Sequence, residues 1–393
     1  MPDDPRARSS LWEVTRLFLK LSVLSFGGPA GHIALMEDEV VARRGWLSRE
    51  RFLDLVGATN LIPGPNAVEM AIHIGYLRRG WLGLLAAGAS FIVPAVLITT
   101  AMAWAYVRYG TLPQVGPFLA GAKPAVLAVI LVAVWRLGRA TLKQWRLAAV
   151  GAAVLAGAMA GLNEVLLIFA GGLAGMLWLA HRGSAASPPP PSAALAILPW
   201  GFSSRVLATG AAAGAAAGVS LWALGLFFLK VGAVLYGSGY VLVAFLEGGL
   251  VREYGWLTQQ QLLDAVAAGQ VTPGPLLSSV AFVGYLLRGG AGAAVATVAV
   301  FLPSFVFVVL LSPVVPRLRE SRWSSSFLDS VNVASVALML AVGAKLGGET
   351  LIGWPSWAIA AAALVAGARW QANSAWLILG GAALGWLLGL RAT

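Results

Sequence analysis

The chain is built from one unit that occurs twice. Residues 45–47 and 255–257 both read Gly-Trp-Leu, and Pro-Gly-Pro occurs at 63–65 and again at 273–275. Other matches keep the same order at a separation of 210 residues, which shortens to 209 after one deletion: Lys20 with Lys230, Glu37 with Glu247, Asp54 with Asp264, and Gly75-Tyr76-Leu77 with Gly284-Tyr285-Leu286. Chance does not produce ordered matches over such a length, so we infer two homologous halves.

The composition places both halves in a membrane. Of the 393 residues, 59% are hydrophobic and 11% are charged, whereas soluble proteins carry roughly 25% charged residues. Such a chain cannot cover a soluble globule with charge, and its long apolar stretches predict an all-α polytopic membrane protein. We interpret the net charge of +11 as basic loops that set orientation, in preference to a nucleic-acid-binding surface.

Residue types that are common in catalytic and metal sites are scarce. The sequence contains no cysteine and three histidines, and it lacks hydrolase, zinc-protease and nucleotide-binding motifs. We therefore expect a protein that is not an enzyme and that holds neither a metal nor a cofactor.

Basic residues predict that the two halves cross the membrane in opposite directions. In the first half a basic cluster follows the apolar segment 115–136, whereas in the second half one precedes the equivalent segment 325–346. The clusters are Arg136, Arg139, Lys143 and Arg146, and Arg317, Arg319 and Arg322. Because basic loops stay in the cytoplasm, the sequence predicts two inverted-topology repeats, an architecture found in many secondary transporters.

The domain boundaries follow from this repeat. Residues 1–181 form the predicted N-terminal transporter repeat, and 182–205 form a linker rich in Pro, Ser and Ala. Residues 206–393 form a connecting helix and the C-terminal repeat. The apolar segment 206–224 has no counterpart in the first half, and one additional crossing would invert the second half.

Proline and glycine interrupt two apolar stretches in each half. The stretch 52–77, broken at Pro63-Gly64-Pro65, has basic residues on both flanks, and 11–36 contains Gly27-Gly28-Pro29. If both basic flanks are cytoplasmic, such a stretch enters and leaves the same face as a re-entrant hairpin. The alternative is a crossing that exposes one basic cluster on the other face, and we favour the hairpin.

The polar residues around these breaks are the candidate substrate-binding site, because broken helices expose backbone N–H groups that attract anions. Asn66, Glu69 and His73 would share one helix face, and ionisable groups at membrane depth suggest function. The first-half candidates are Lys20, Gly27, Gly28, Asn60, Pro63, Gly64, Pro65, Asn66, Glu69 and His73. The second-half candidates are Lys230, Gly237, Ser238, Gln270, Thr272, Pro273, Gly274, Pro275, Ser278 and Ser279.

Structural alternatives remain for the charged candidates. Glu69 and His73 could pair with each other instead of serving a substrate. Lys20 and Lys230 could form a pseudo-symmetric clamp for a dianion, or they could extend to the membrane interface. The second half lacks a counterpart of Glu69, so it could bind an anion but could not carry a proton there.

The sequence around the first break resembles the chromate ion transporter family in its long, two-domain form. The resemblance rests on Phe26-Gly27-Gly28-Pro29, on 60–66 with 69–75, and on Gly80-Trp81 leading to 91–95, and it continues through the second half. It implies export of chromate across the bacterial inner membrane, conferring chromate resistance, with sulfate as a related substrate and with proton coupling. Ala67 and Val68 depart from the small hydroxyl residues of the family, which leaves the substrate preference and the coupling open.

Several alternatives share this chemistry. A carrier for sulfate or molybdate would use the same tetrahedral-oxyanion contacts, and an anion channel would also use broken helices. The predicted partners are therefore a small inorganic oxyanion, protons and the lipid bilayer. Glycine-rich helix faces also allow a homodimer.

Overall fold

Helices account for every regular element in the parts of the chain that the structure, a computed structural model, describes: residues 10–25, 28–180, 219–236, 239–311 and 321–390. The first-half helices are α1 (Leu11–Leu24), α2 (Pro29–Glu37), α3 (Arg49–Thr59), α4 (Asn66–Tyr109), α5 (Gly116–Thr141), α6 (Trp145–Met159) and α7 (Glu164–Ala180). Those of the second half are α8 (Leu221–Val234), α9 (Leu242–Phe245), α10 (Gln259–Val271), α11 (Ser279–Leu311), α12 (Arg322–Thr350), α13 (Trp354–Arg369) and α14 (Ser374–Leu387).

The two halves contain the same elements in the same order. The π-helical turns Asp38–Arg43 and Leu246–Glu253 extend α2 and α9, and the short 3₁₀ turns Gly239–Val241 and Leu276–Ser278 precede α9 and α11. Four helices, at Asn66–Tyr109, Gly116–Thr141, Leu276–Leu310 and Arg322–Thr350, are long and apolar enough to cross a membrane. The predicted all-α polytopic fold is confirmed.

Equivalent hydroxyl residues start equivalent helices. The Ser10 side chain accepts a hydrogen bond from the Glu13 amide at the start of α1, and Ser220 does the same at α8. Ser48 caps α3, and Thr258 caps α10. These caps accept hydrogen bonds from backbone N–H groups that have no partner within the helix. The local sequence of each repeat therefore determines where these helices begin.

Helices α1 and α2 form a hairpin. The Arg44 guanidinium donates to Glu13 Oε1 over 3.1 Å near the open end, and Lys20 Nζ donates to Glu39 Oε1 further in. Helix α1 has 14 residues and is about 21 Å long at 1.5 Å per residue, which is short of the about 30 Å hydrocarbon core. These dimensions agree with re-entry rather than crossing.

A second hairpin is made by α3 and the first part of α4. The Trp46 ring lies 5.3 Å from the guanidinium carbon of Arg44 and 5.1 Å from that of Arg78. The chain therefore leaves this hairpin at the end where it entered, and the break at 61–65 forms its tip. The contacts agree with the hairpin interpretation of 52–77.

Helix α4 is itself folded back at Arg79–Gly80. Gly80 has φ +58°, a conformation that favours glycine. Gly75 before the turn and Gly83 after it touch backbone to backbone. A Cβ on either residue would overlap the carbonyl oxygen of the other. Gly284 and Gly292 repeat this contact around Arg288–Gly289 in α11. The long helices are thus tight antiparallel pairs joined by one glycine turn.

Equivalent helices of the two halves run antiparallel. Along the α5–α12 contact, Gly138 approaches Val336, whereas Leu127 approaches Gly347 at the other end. Similarly, α14 packs on α5 while α7 packs on α12. Pairs of this kind are related by a two-fold axis perpendicular to the helices, which supports the predicted inverted repeats.

Basic residues from both halves gather at one end of the molecule. Lys143 Nζ, after α5, lies 3.6 Å from Asp329 Oδ1 near the start of α12. Arg139 near the end of α5 and Arg322 at the start of α12 belong to the same end, whereas Gly116 begins α5 at the opposite end. The end with the basic residues is the predicted cytoplasmic face. The linker 182–205, most of the connecting helix 206–224, and Arg317 with Arg319 lie outside the described residues, so those boundaries stay predictions.

Single-cysteine labelling tests the inverted topology, and the absence of native cysteine removes background reaction. We expect Leu112→Cys to react with an impermeant maleimide in intact cells, and Ser321→Cys to react only after permeabilisation. Labelling of both positions from the same side would contradict the inverted arrangement.

The folded-back long helix predicts a strong effect of one methyl group. Gly75→Ala places a Cβ against the Gly83 carbonyl, and overpacking of this kind costs roughly 1–3 kcal/mol. We expect a lower melting temperature of the purified protein in detergent. Gly290→Ala is the matched control, because a Cβ there meets nothing within 4 Å. Equal melting temperatures for the two variants would argue against close packing at Gly75.

Candidate functional site

The broken hairpin tips of the two halves meet through two equivalent hydrogen bonds. The Gly64 amide donates to the Leu235 carbonyl over 2.7 Å, and the Gly274 amide donates to the Ser25 carbonyl over 2.9 Å. Gly64 has φ +146° and Gly274 has φ +95°, so the glycine of each Pro-Gly-Pro supplies a conformation that other residues rarely adopt. The candidate site is assembled around this junction.

Glu69 is the most deeply buried acid of the first break. Its side chain is 0% exposed, as is that of Ser304 from α11. A Cβ on Gly64 would overlap both Glu69 Oε1 and Ser304 Oγ, which shows how closely the carboxyl and the hydroxyl lie against the glycine. No ion pair of Glu69 occurs in the described part of the chain. A buried carboxyl without a cation is costly, which points to a functional role.

His73 does not neutralise this acid. Its Nδ1 lies 3.2 Å from the backbone carbonyl of Glu69, one turn earlier on the same helix. The alternative in which the two side chains pair is therefore not what the structure has. His73 is 2% exposed and its ring is held by its own helix.

Asn60 and Asn66 flank the first break and line a cavity of about 90 Å³. Asn66 Nδ2 donates to Asn60 Oδ1 over 2.6 Å. The remaining lining residues come from α5, α12 and the turn before α9: Leu137, Thr141, Asn332, Ser335, Val336 and Val241. Five of the eight lining side chains carry an amide or a hydroxyl and none is charged, so the cavity can donate hydrogen bonds without fixed charge.

The second break is closed by hydroxyl groups from both halves. Thr99 Oγ1 lies 3.1 Å from Ser278 Oγ and 3.4 Å from Thr272 Oγ1, and these three side chains are all buried. The Ser279 side chain packs against Gly269, and Gln270 hydrogen-bonds Tyr240. Thr272, Ser278 and Ser279 are therefore engaged with protein groups, whereas the Gln270 side-chain NH2 group is buried without a hydrogen-bond partner in the described structure.

The two lysines of the predicted clamp have different surroundings. Lys20 Nζ lies 2.5 Å from Glu39 Oε1, and Arg43 and Arg44 approach the same carboxylate at 3.4 and 3.5 Å. Lys20 is thus ion-paired within its hairpin, and its role as a cation for the substrate stays a prediction. Lys230 has no ion pair among the described residues, because the position equivalent to Glu39 is Gly249. A role for Lys230 stays a prediction.

Two ion pairs attach the π-helical turn Leu246–Glu253 to the surrounding helices. Glu247 pairs with Lys345 of α12, and Arg252 pairs with Glu164 of α7. The equivalent Glu37 pairs instead with Arg49 of its own hairpin region. The equivalent acids Glu37 and Glu247 therefore have different ion-pair partners in the two halves.

Several predicted residues lie outside the described part of the chain or in the backbone of the turns. Gly27, Gly237 and Ser238 are outside it, and nothing is added to their prediction. Gly28 is described and has φ +85°. Pro63, Pro65, Pro273 and Pro275 flank the two glycines of the junction.

Sequence reasoning missed groups that reach the site from other segments. Ser304 lies beside Glu69, and Asn332 with Ser335 lines the amide cavity. Asp264 is 4% exposed and accepts a hydrogen bond from the Tyr106 hydroxyl over 2.9 Å. Each is a polar residue within an apolar stretch, a signal that could have drawn attention to it.

The comparisons with known proteins agree with the duplicated fold. The family model described as "Chromate transporter" matches residues 12–176 and again 222–386. A probable chromate transport protein of Synechococcus elongatus is 31% identical over 91% of this chain and 89% of its own length. The chromate transport protein of Cupriavidus metallidurans is 30% identical over 95% and 92%, and that of Pseudomonas aeruginosa is 31% identical over 94% and 91%. No solved structure matches this chain. The double family match and these relatives show that the chain belongs to the chromate transporter family, as the sequence around the first break predicted.

Proposed function

We propose that this protein carries chromate out of a bacterial cell across the inner membrane and so confers chromate resistance. The observation that carries the proposal is the first Pro-Gly-Pro break, where Asn66 of an uncharged, amide-lined cavity and the buried carboxyl of Glu69 lie three residues apart on α4. The family membership and the names of the curated relatives support chromate as the substrate.

The chemistry of the cavity suits a tetrahedral oxyanion. A fully deprotonated oxyanion only accepts hydrogen bonds, and the amide side chains of Asn60 and Asn66 donate them. The start of α4 adds backbone N–H groups that have no partner within the helix. Sulfate and molybdate present the same oxygens, so a carrier for those ions is the second candidate.

The membrane potential favours the export direction. A dianion that leaves a cell held at about −100 mV gains about 4.6 kcal/mol, at about 2.3 kcal/mol per charge. Uptake of the same ion would need at least about two protons to cancel its charge. Export therefore needs no coupling ion against a modest gradient, and a proton modulates the cycle at Glu69 in our proposal.

Glu69 is placed to act on the substrate through its charge. It shares a helix with Asn66, which lines the cavity, and it touches the Gly64 backbone that connects the two halves. An ionised Glu69 would repel an anion near the break, whereas a protonated Glu69 would not. We propose that protonation of this carboxyl accompanies binding.

Uptake of chromate into everted membrane vesicles tests the proposed function. We expect saturable chromate uptake that sulfate inhibits by competition. Collapse of the membrane potential should reduce the rate of uptake more than collapse of the pH gradient does. Flux without saturation would indicate a channel instead. Preference for sulfate over chromate would favour the second candidate.

A Glu69→Gln variant tests the proton site. Because glutamine is uncharged at every pH, we expect the variant to retain chromate binding and to lose the pH dependence of transport that Glu69 causes. Glu349→Gln is the matched control, since Glu349 is exposed. If the Glu69→Gln profile matches that of the control, Glu69 does not carry the proton.

A further inference from the structure

The cavity at the first break contains a third amide, that of Asn332 on α12. It lies with Asn60 and Asn66 among the lining residues, although nearly 270 residues separate it from them along the chain. Within the described part of the chain, Asn332 makes no hydrogen bond. Asn332 is partly exposed, and its side-chain amide at the wall of a polar cavity is available to a ligand.

We propose that Asn332 is a substrate-binding and specificity-determining residue that donates a hydrogen bond to the transported oxyanion. The two hydroxyl groups of the lining already donate hydrogen bonds to backbone carbonyls. Ser335 Oγ donates to the Tyr236 carbonyl over 3.2 Å, and Thr141 Oγ1 donates to the Leu137 carbonyl over 2.8 Å. The three amides are therefore the donors left for an anion. This inference rests on the proposed function.

The location of Asn332 couples the substrate to the helices that surround the hairpins. Asn60 and Asn66 belong to the hairpin made by α3 and the first part of α4, whereas Asn332 belongs to α12. Helix α12 packs against α5, α6 and α7. An oxyanion that accepts from both groups bridges the hairpin and the surrounding bundle. Movement of the hairpin relative to α12 then changes the number of hydrogen-bond donors around the ion. A carrier needs such a change to release its substrate.

The repeat shows that this position tolerates a different charge. Lys123 of α5 is the residue equivalent to Asn332. In the described structure Lys123 interacts electrostatically with the buried Asp264, so this cation has an acidic partner. The Asn332 cavity has no such acid in its lining, and neutral donors there hold a dianion less tightly than a lysine would. Weaker binding permits release, as in other conducting sites.

Three substitutions at this position test the inference through opposite effects. Asn332→Asp replaces a donor by a negative charge, and we expect the KM for chromate to rise at least about tenfold. Asn332→Ala removes the donor alone and should raise KM by a smaller factor. Asn332→Lys adds a cation, so KM should fall and the maximal rate should fall with it, because release is slowed.

Asn163→Asp is the matched control. The Asn163 side chain caps α7 by accepting from the amides of Val165 and Leu166, and aspartate performs the same role. We expect wild-type kinetics for this variant. Melting temperatures of all variants in detergent, with and without chromate, separate binding from folding, and Asn332→Ala keeps the test open if a charged variant does not fold.

The outcomes separate this inference from the proposed function. Wild-type protein that neither transports chromate nor is stabilised by it would overturn the proposed function and this inference together. Wild-type transport with an unchanged KM in Asn332→Ala and Asn332→Asp would overturn the inference alone. A rise of KM in both Asn332→Asp and Asn332→Lys would indicate a structural role for Asn332 and would also overturn it.

Discussion

The need to satisfy backbone polar groups inside a membrane governs this fold. Where Pro-Gly-Pro interrupts a helix, the amide of the glycine has no helical partner, and hydrocarbon offers none. Each half supplies the missing acceptor to the other, through Gly64 with Leu235 and Gly274 with Ser25. Each broken helix therefore depends on the other half for this acceptor, which explains why the two breaks meet.

Glycine provides the geometry that these hydrogen bonds require. The contact of Gly75 with Gly83, and that of Gly284 with Gly292, allow two helical legs to lie backbone to backbone. Larger residues would separate the legs and move the breaks away from each other. The many glycines of the chain thus serve close packing, as expected where helices associate without a hydrophobic driving force.

The two junctions have the same backbone and different side chains. The first holds Glu69, Ser304 and an open amide cavity, whereas the second is filled by the hydroxyls of Thr99, Thr272 and Ser278. The first junction combines a buried carboxyl with an amide-lined cavity, whereas the helix before the second break retains a buried, unpaired Gln270 side-chain NH2 group. The two junctions therefore share a backbone arrangement and differ in their polar groups.

The sequence alone determined the features that depend on local patterns. Apolar stretches and the repeat predicted the all-α membrane fold and its two homologous halves, and the motif around Pro63 predicted the family. It also identified Glu69, Asn60 and Asn66, because polar residues beside a helix break are visible in the chain. The tertiary structure decided which distant groups join them. Ser304 and Asn332 reach the first break from the second half, and Glu39 forms an ion pair with Lys20. Those contacts depend on how hairpins fold back and how antiparallel halves interlock, and a linear pattern does not encode the distance between segments that far apart.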